Sequence, residues 1–325
     1  MKHLPKILLA LLSVLLLAGC EKPQGTTPSV SAENDTVKRN SIYYWRTTFE
    51  LDSAETAFLK KHDVTRMYLR MFDVATEYDF LNNAVEVVPI ATTKFVTPVP
   101  EGVEIVPVVY ITIDALRAMA GCEEEYAGLF ADRLCAMASY NKCGTIREIQ
   151  LDCDWTITTK ESYDYLCQTV RDTLQTQGIQ LSATIRLHQL RETPPPVDCG
   201  VLMLYNTGAL KRLDTKNSIL HLDDVKPYLK SRKYALPLDY AYPIFGWGVK
   251  FEGDSFAGIV SEDAKPLIAK ETVRHERPTA TEILEVKQLV EQRLGKPANS
   301  NILYHLDRSQ FTHYTEDEIA EIYHY

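Results

Sequence analysis

From residue 41 onward, short apolar runs rich in β-branched and aromatic residues alternate with stretches whose apolar positions recur every three to four residues. The first pattern predicts strands and the second predicts amphipathic helices. Strands are expected at 42–48 (IYYWRTT), 64–73 (VTRMYLRMFD), 103–112 (VEIVPVVYIT), 148–155 (EIQLDCDW), 180–188 (QLSATIRLH), 200–206 (GVLMLYN), 234–242 (YALPLDYAY) and 301–307 (NILYHLD). Helices are expected at 53–62, 124–140, 160–177, 222–232, 281–294 and 315–324, with Gly178 and Gly295 as C-terminal stops. The segment with Pro89, Pro98 and Pro100 reads as irregular, and 243–258 as a hairpin excursion. Eight strands, mostly separated by helices, match a (β/α)8 barrel in number and length. A doubly wound sheet would need a Gly-rich phosphate loop or a switch point, and the sequence shows neither.

The first forty residues do not follow this pattern. Lys2 and Lys6 precede the apolar run 7–18, which ends Leu17-Ala18-Gly19-Cys20. A basic start, a short apolar run and small residues before a cut site form a secretory signal peptide, and a dozen apolar residues fall short of the roughly 20 that span a bilayer. The Leu-Ala-Gly-Cys sequence resembles the lipobox of bacterial lipoproteins. That resemblance implies removal of residues 1–19, acylation of Cys20, and anchoring of an exported protein to a bacterial cell membrane, the outer membrane above all. Residues 20–40, rich in Pro, Ser, Thr and charge, read as a flexible tether, and 41–325 as a single barrel domain.

Composition narrows the function. The chain has 325 residues, is 45% hydrophobic and carries a net charge of -9, with 35 basic against 44 acidic side chains. This excludes wholesale disorder and argues against a nucleic-acid partner, which needs a concentrated basic face. The Lys-rich run 226–233 reads as a solvated helix end. Apart from Cys20, the cysteines at 122, 135, 143, 153, 167 and 199 show no zinc spacing, and an exported chain permits either disulfides or free thiols. No HExxH, GxSxG or P-loop occurs, so no obligatory metal or cofactor is expected, although calcium on Asp152 or Asp154 stays open. Ser182 and His188 share a strand at a separation of roughly 20 Å, too far for a nucleophile and its base.

Barrel chemistry gathers at the carboxyl ends of the strands, on side chains facing the axis. On the fourth strand Ile149, Leu151 and Cys153 share one face and Gln150, Asp152 and Asp154 the other, so two carboxylates are expected to point inward. On the fifth, Ser182, Thr184, Arg186 and His188 alternate with apolar residues, and Arg186 is placed to neutralise an inward aspartate. Arg70, Asp239 and Asp307 end other strands, and Trp45, Tyr110, Trp155, Tyr205, Tyr242 and Trp247 crowd the same rim. Aromatic rings beside carboxylates and arginines suit a glycan, whose C–H faces stack while its hydroxyls hydrogen-bond.

The strand Leu151-Asp152-Cys153-Asp154-Trp155-Thr156 resembles the DxxDxDxE strand of chitinase-like (family 18) glycoside hydrolases. Leu181-Ser182-Ala183-Thr184, Met203-Leu204-Tyr205-Asn206, and Leu236-Pro237-Leu238 with Phe245-Gly246-Trp247-Gly248 resemble later segments of that family in the right order. The whole chain also resembles exported, glycosidase-related barrel proteins of Bacteroides-type bacteria. The resemblance implies a barrel with a sugar-shaped pocket, but Thr156 stands where the family's catalytic Glu should be. Ile149 replaces its first Asp and Asn206 its sixth-strand Asp. Threonine is no general acid at neutral pH, a role worth about 10²–10⁴-fold. Three readings follow: a glycoside hydrolase using Asp154 and Asp239 across the mouth, with Asp152 and Asp307 in support; a silent, membrane-anchored glycan binder; or a scaffold lipoprotein. For the first, a carboxyl separation of about 5–5.5 Å would imply retention and about 6.5–9.5 Å inversion.

Overall fold

The computed structural model describes residues 39–229 and 234–325. Residues 1–38, with the expected signal peptide, Cys20 and most of the tether, lie outside the described residues. Eight parallel strands form a closed ring: β1 (Asn40–Tyr44), β2 (Val64–Asp79), β3 (Glu104–Ile111), β4 (Glu148–Cys153), β5 (Gln180–Arg186), β6 (Cys199–Met203), β7 (Leu238–Pro243) and β8 (Asn301–Tyr304). Each pairs with its neighbour in sequence order, and β1 joins both β8 and β2 to close the circle. The (β/α)8 barrel expected from the alternation is the observed architecture.

The helices sit where their sequences place caps and apolar stripes. Helix α1 (Ser53–Lys61) starts at Asp52, whose carboxylate accepts from the Glu55 N–H, and Glu55 returns the bond in a capping box. Helices α2 (Glu123–Tyr140) and α3 (Lys160–Gln175) cover β3, β4 and β5; α3 buries Tyr163, Leu166, Cys167, Val170 and Leu174 at helical spacing. Helices α4 (Ala280–Leu294) and α5 (Glu316–Tyr323) open with the capping boxes Thr279/Glu282 and Thr315/Glu318. Gly178 follows α3 at φ +69°, a conformation that only glycine adopts without strain.

Several expectations are corrected. Strand β2 runs on past residue 73 to Asp79 and returns as an antiparallel partner, Ala84–Ile90, so the segment read as irregular is largely a hairpin. Pro89 is tolerated there because that strand is the sheet edge, where its missing N–H costs no ladder bond. Between β5 and β6 there is only a 3₁₀ turn, Leu187–Arg191. The helix expected at 222–232 is the short Leu222–Val225 followed by the 3₁₀ turn Lys226–Tyr228, and 230–233 lie outside the described residues. The excursion after β7 is a three-stranded antiparallel side sheet: Trp247–Glu252, Ser255–Val260 and Glu271–Glu276.

Two apolar cores result. The larger lies between the barrel and its helices and includes Leu151, Cys153, Trp155, Ile185, Leu202 and Tyr242. The smaller fills the lumen with Tyr43, Tyr68, Val106, Val108, Val201, Met203, Ala241 and Ile302. The Tyr43 and Tyr68 rings stack at 4.9 Å, and the Tyr43 hydroxyl donates to Gln150 Oε1 at 2.7 Å, so the lumen is packed and plugged below the mouth.

Candidate functional site

The strand parity read from the sequence holds in β4. Gln150 and Asp152 face the lumen, and Asp154 emerges at its carboxyl end with the side chain 43% exposed. From β5, Arg186 reaches both: its Nε donates to Asp154 Oδ1, and its Nη2 lies 3.2 Å from Asp152 Oδ1. Thr184 Oγ1 donates to the same Asp152 oxygen at 2.5 Å. Burial raises the Asp152 pKa, Arg186 pulls it back, and Asp154 and Asp73 add to the rise. Burial also works against the Arg186 charge, but the oxygens of Tyr205, Asp152 and Asp154 outweigh it and hold the guanidinium more firmly protonated. Among the described residues no three His, Cys, Asp or Glu side chains are placed to hold a metal ion. Arg186 already occupies the space between the two aspartates.

A second ion pair flanks the first. Arg70 donates through Nε to Asp73 Oδ1 at 2.6 Å and through Nη2 to the other oxygen, and its guanidinium lies 5.7 Å from the Trp45 ring centre. A one-residue irregularity in β2 between Arg70 and Phe72 is what turns Asp73 inward. Tyr110, opposite Asp152 in the β3–β4 ladder, has its hydroxyl pushed up to about 12 by burial and by Asp154 and Asp152.

The aromatic wall centres on a residue that the sequence reading passed over. Tyr304, the last residue of β8, places its ring 4.6 Å from Tyr205, 5.4 Å from Tyr43 and 5.8 Å from both Trp45 and Phe245. Alternation along Asn301–Tyr304, with Ile302 inward, was the signal that could have found it. Trp247 joins this wall through Phe245 at 5.4 Å, and its Nε1 donates to Glu276 at 2.9 Å. The mouth opens into a cleft of about 370 Å³ lined by Ile113, Asp154, Thr156, Arg186, His188, Tyr205, Asn206 and Tyr228, among others. His188 is exposed on its rim.

Other expected site residues lie elsewhere. Asp239 does not face Asp154. It is the second residue of β7, at the amino end of the barrel, where its Oδ1 accepts from the N–H groups of Asn299 at 2.6 Å and Ser300 at 2.9 Å. Trp155 continues the outward parity of Leu151 and Cys153 and stacks on Tyr163 of α3 at 6.1 Å. Tyr242, between the inward Ala241 and Pro243, faces the helices and is fully buried. Asp307 caps the short helix Arg308–Phe311, accepting from the Ser309 N–H at 2.8 Å and hydroxyl at 2.6 Å. Thr156, at the position of the resembled family's acid, shares a hydroxyl hydrogen bond with Thr158 at 2.9 Å.

No known family pattern matches the sequence, and no curated protein matches it. Solved structures do share its architecture. The spore cortex-lytic enzyme SleL of Bacillus cereus is similar over 89% of this chain and 75% of its own, at 16% identity and a TM-score of 0.53. A chitinase of Chromobacterium violaceum is similar over 85% and 97%, at 13% identity and 0.54. A Group IV chitinase of Ostrinia furnacalis is similar over 88% and 98%, at 12% identity and 0.50. The shared feature at such identities is the chitinase-like (β/α)8 barrel fold.

Proposed function

We propose that this protein is a glycan-binding barrel that does not hydrolyse its ligand, exported and held on a bacterial membrane by lipid on Cys20. One observation carries the binding reading over the hydrolytic one: every carboxylate at the mouth is engaged by arginine. Asp152 and Asp154 share Arg186, and Asp73 is clamped by Arg70. Among the described residues Asp154 is the sole carboxylate lining the cleft, and the other two acids of the mouth, Asp152 and Asp73, are each already bonded to an arginine. Glycosidic cleavage needs one carboxyl to protonate the leaving oxygen and a second group to act on the anomeric carbon or its water. To deliver a proton to a leaving oxygen Asp154 would have to break its bond to the Arg186 guanidinium, and Thr156 offers no replacement.

The cleft supports ligation well. Tyr205 and Tyr228 supply ring faces for sugar C–H groups, while Arg186, Asn206 and Asp154 supply directional hydrogen bonds. The chitinases among the similar structures make chitooligosaccharides the first ligands to try. Isothermal titration with these and other oligosaccharides should give saturable binding, weakened by Tyr205→Ala, with no reducing ends released on prolonged incubation. Turnover that disappears in Asp154→Asn would establish the glycosidase reading instead, and absence of both binding and turnover would leave a scaffold.

A further inference from the structure

Arg70 and Asp73 form an ion pair at the mouth that does not line the cleft, and its place follows from the strands. Tyr43 of β1 and Tyr68 of β2 are register partners, and their rings stack at 4.9 Å in the lumen. Two residues further along each strand, Trp45 and Arg70 continue the inward parity and make the next layer up. The Arg70 guanidinium lies 5.7 Å from the Trp45 ring centre, and its Nη1 donates to the Trp45 carbonyl at 3.3 Å. Both Asp73 oxygens accept from the same guanidinium. A fork gripped at two carboxylate oxygens has a fixed plane, which a lysine in its place would lack.

The backbone around this pair is fixed as well. Thr93, 5% exposed, donates its hydroxyl to the Arg70 carbonyl at 2.7 Å and its N–H to the Met71 carbonyl at 2.7 Å, spanning the irregularity that turns Asp73 inward. The next residue, Lys94, donates its N–H to the Thr47 carbonyl at 2.9 Å, in the loop that follows Trp45. One short segment thus ties that loop to β2. The Trp45 side chain is only partly buried, and its Nε1–H has no hydrogen-bond partner among the described residues. Its ring meets Tyr304 at 5.8 Å, and Tyr304 meets Tyr205 of the cleft wall at 4.6 Å, so three rings run unbroken from the cleft to Trp45. Burying an ion pair costs desolvation that an apolar pair would avoid, and fixing one geometry is the best-attested reason to retain it. We infer, resting on the glycan-binding reading, that Arg70 clamped by Asp73 is a positioning residue. It holds Trp45 so that the ring face and free N–H meet a glycan extending out of the cleft.

The chain has three tryptophans, so fluorine NMR of the full chain labelled with fluorotryptophan tests this with one signal for each. The signals lost in Trp45→Phe and Trp155→Phe identify those two residues. Arg70→Gln/Asp73→Asn removes both charges together, so neither is left buried alone. In that variant the Trp45 signal should shift or broaden, while the Trp155 signal stays in place and reports an intact fold. Chitohexaose affinity, measured by titration calorimetry, should fall about tenfold, as in Trp45→Ala, and combining all three substitutions should cost no more. Arg70→Lys keeps the charge without the planar fork and should restore neither readout. An unmoved Trp45 signal would overturn the positioning role. So would losses that multiply when Trp45→Ala is added, because Arg70 and Asp73 would then act apart from Trp45. The signal is read without ligand, so a moved Trp45 signal in a protein that binds no chitohexaose would overturn the ligand and not the positioning.

Discussion

Arg186 is the side chain on which the mouth depends. It bridges a carboxylate that is 2% exposed and one that is 43% exposed, so removing it acts differently on each. Asp154 would turn to water. Asp152 would keep only the Thr184 hydroxyl, and an uncompensated buried carboxylate costs about 3–5 kcal/mol. Arg186→Met should therefore lower the urea unfolding free energy by that amount, and adding Asp152→Asn should restore most of it. A double mutant no more stable than Arg186→Met would mean that lost packing of the guanidinium over the Tyr205 ring, 5.3 Å away, is the real cause. Glycan binding should fail in both variants, because each removes the donor that the cleft presents.

The strand is the element that decides which aromatic residues can touch a ligand. Trp155 and Tyr242 face the helices, so truncating either to alanine should cost about 3–5 kcal/mol of stability and leave glycan affinity unchanged in the remaining folded protein. Trp45→Ala should do the reverse, weakening binding by about 1–2 kcal/mol, near tenfold, with a smaller change in melting temperature. Titration and thermal melts on the same samples separate the two classes. Thr279→Ala, which removes a cap from α4, should cost about 1 kcal/mol and leave binding untouched. This division shows what alternation can reveal. It placed Asp152 and Asp154 inward correctly, and applied one residue further it would have turned Trp155 outward. It misplaced Asp239 because apolar character begins at Tyr234, whereas the ladder begins at Leu238, after Pro237, whose ring nitrogen has no hydrogen to donate. Register is set by the neighbouring strands, and no local pattern contains it. The hairpin beyond residue 73 was hidden for a related reason: Pro89 interrupts the apolar run, and only the sheet order shows that it sits on an edge.

For the whole molecule, the telling feature is acid at both ends of the barrel axis. Asp152 lies beneath the mouth. At the amino end Arg66 joins Glu148 at 3.0 Å and Glu104 at 3.1 Å, with Asp239 close by. Burial raises the pKa of Asp152, Glu148 and Asp239 alike; Arg186, Arg66 and the Asn299 and Ser300 N–H groups oppose the rise without cancelling it. A carboxyl whose folded pKa exceeds its unfolded value binds its proton more tightly in the native chain. From the ordinary carboxylate range, about 4, up to those raised values, the folded state holds more protons than the unfolded state, so stability falls as pH rises. Asp214, Asp223 and Glu316 act in the opposite sense, since hydrogen bonds from Arg212, Lys226 and Lys61 lower their pKa and that contribution disappears as pH falls. These three are exposed, and water and salt screen them. The interior carboxyls should therefore outweigh these three. Burial lowers the pKa of His305 and His62, however, and these act the other way between pH ~5 and ~7. In a His62→Gln/His305→Gln background the urea midpoint should be higher near pH ~5 than near pH ~7, with the difference preserved at high salt. Glu148→Gln removes one of the buried titrating groups while leaving Arg66 its bond to Glu104, and should flatten the slope; Asp214→Asn should not. A midpoint that climbs from pH ~5 to ~7 and is indifferent to Glu148→Gln would mean that Arg66 holds Glu148 as an anion throughout, and that the amino end of the barrel is an ion-pair network and not a proton store.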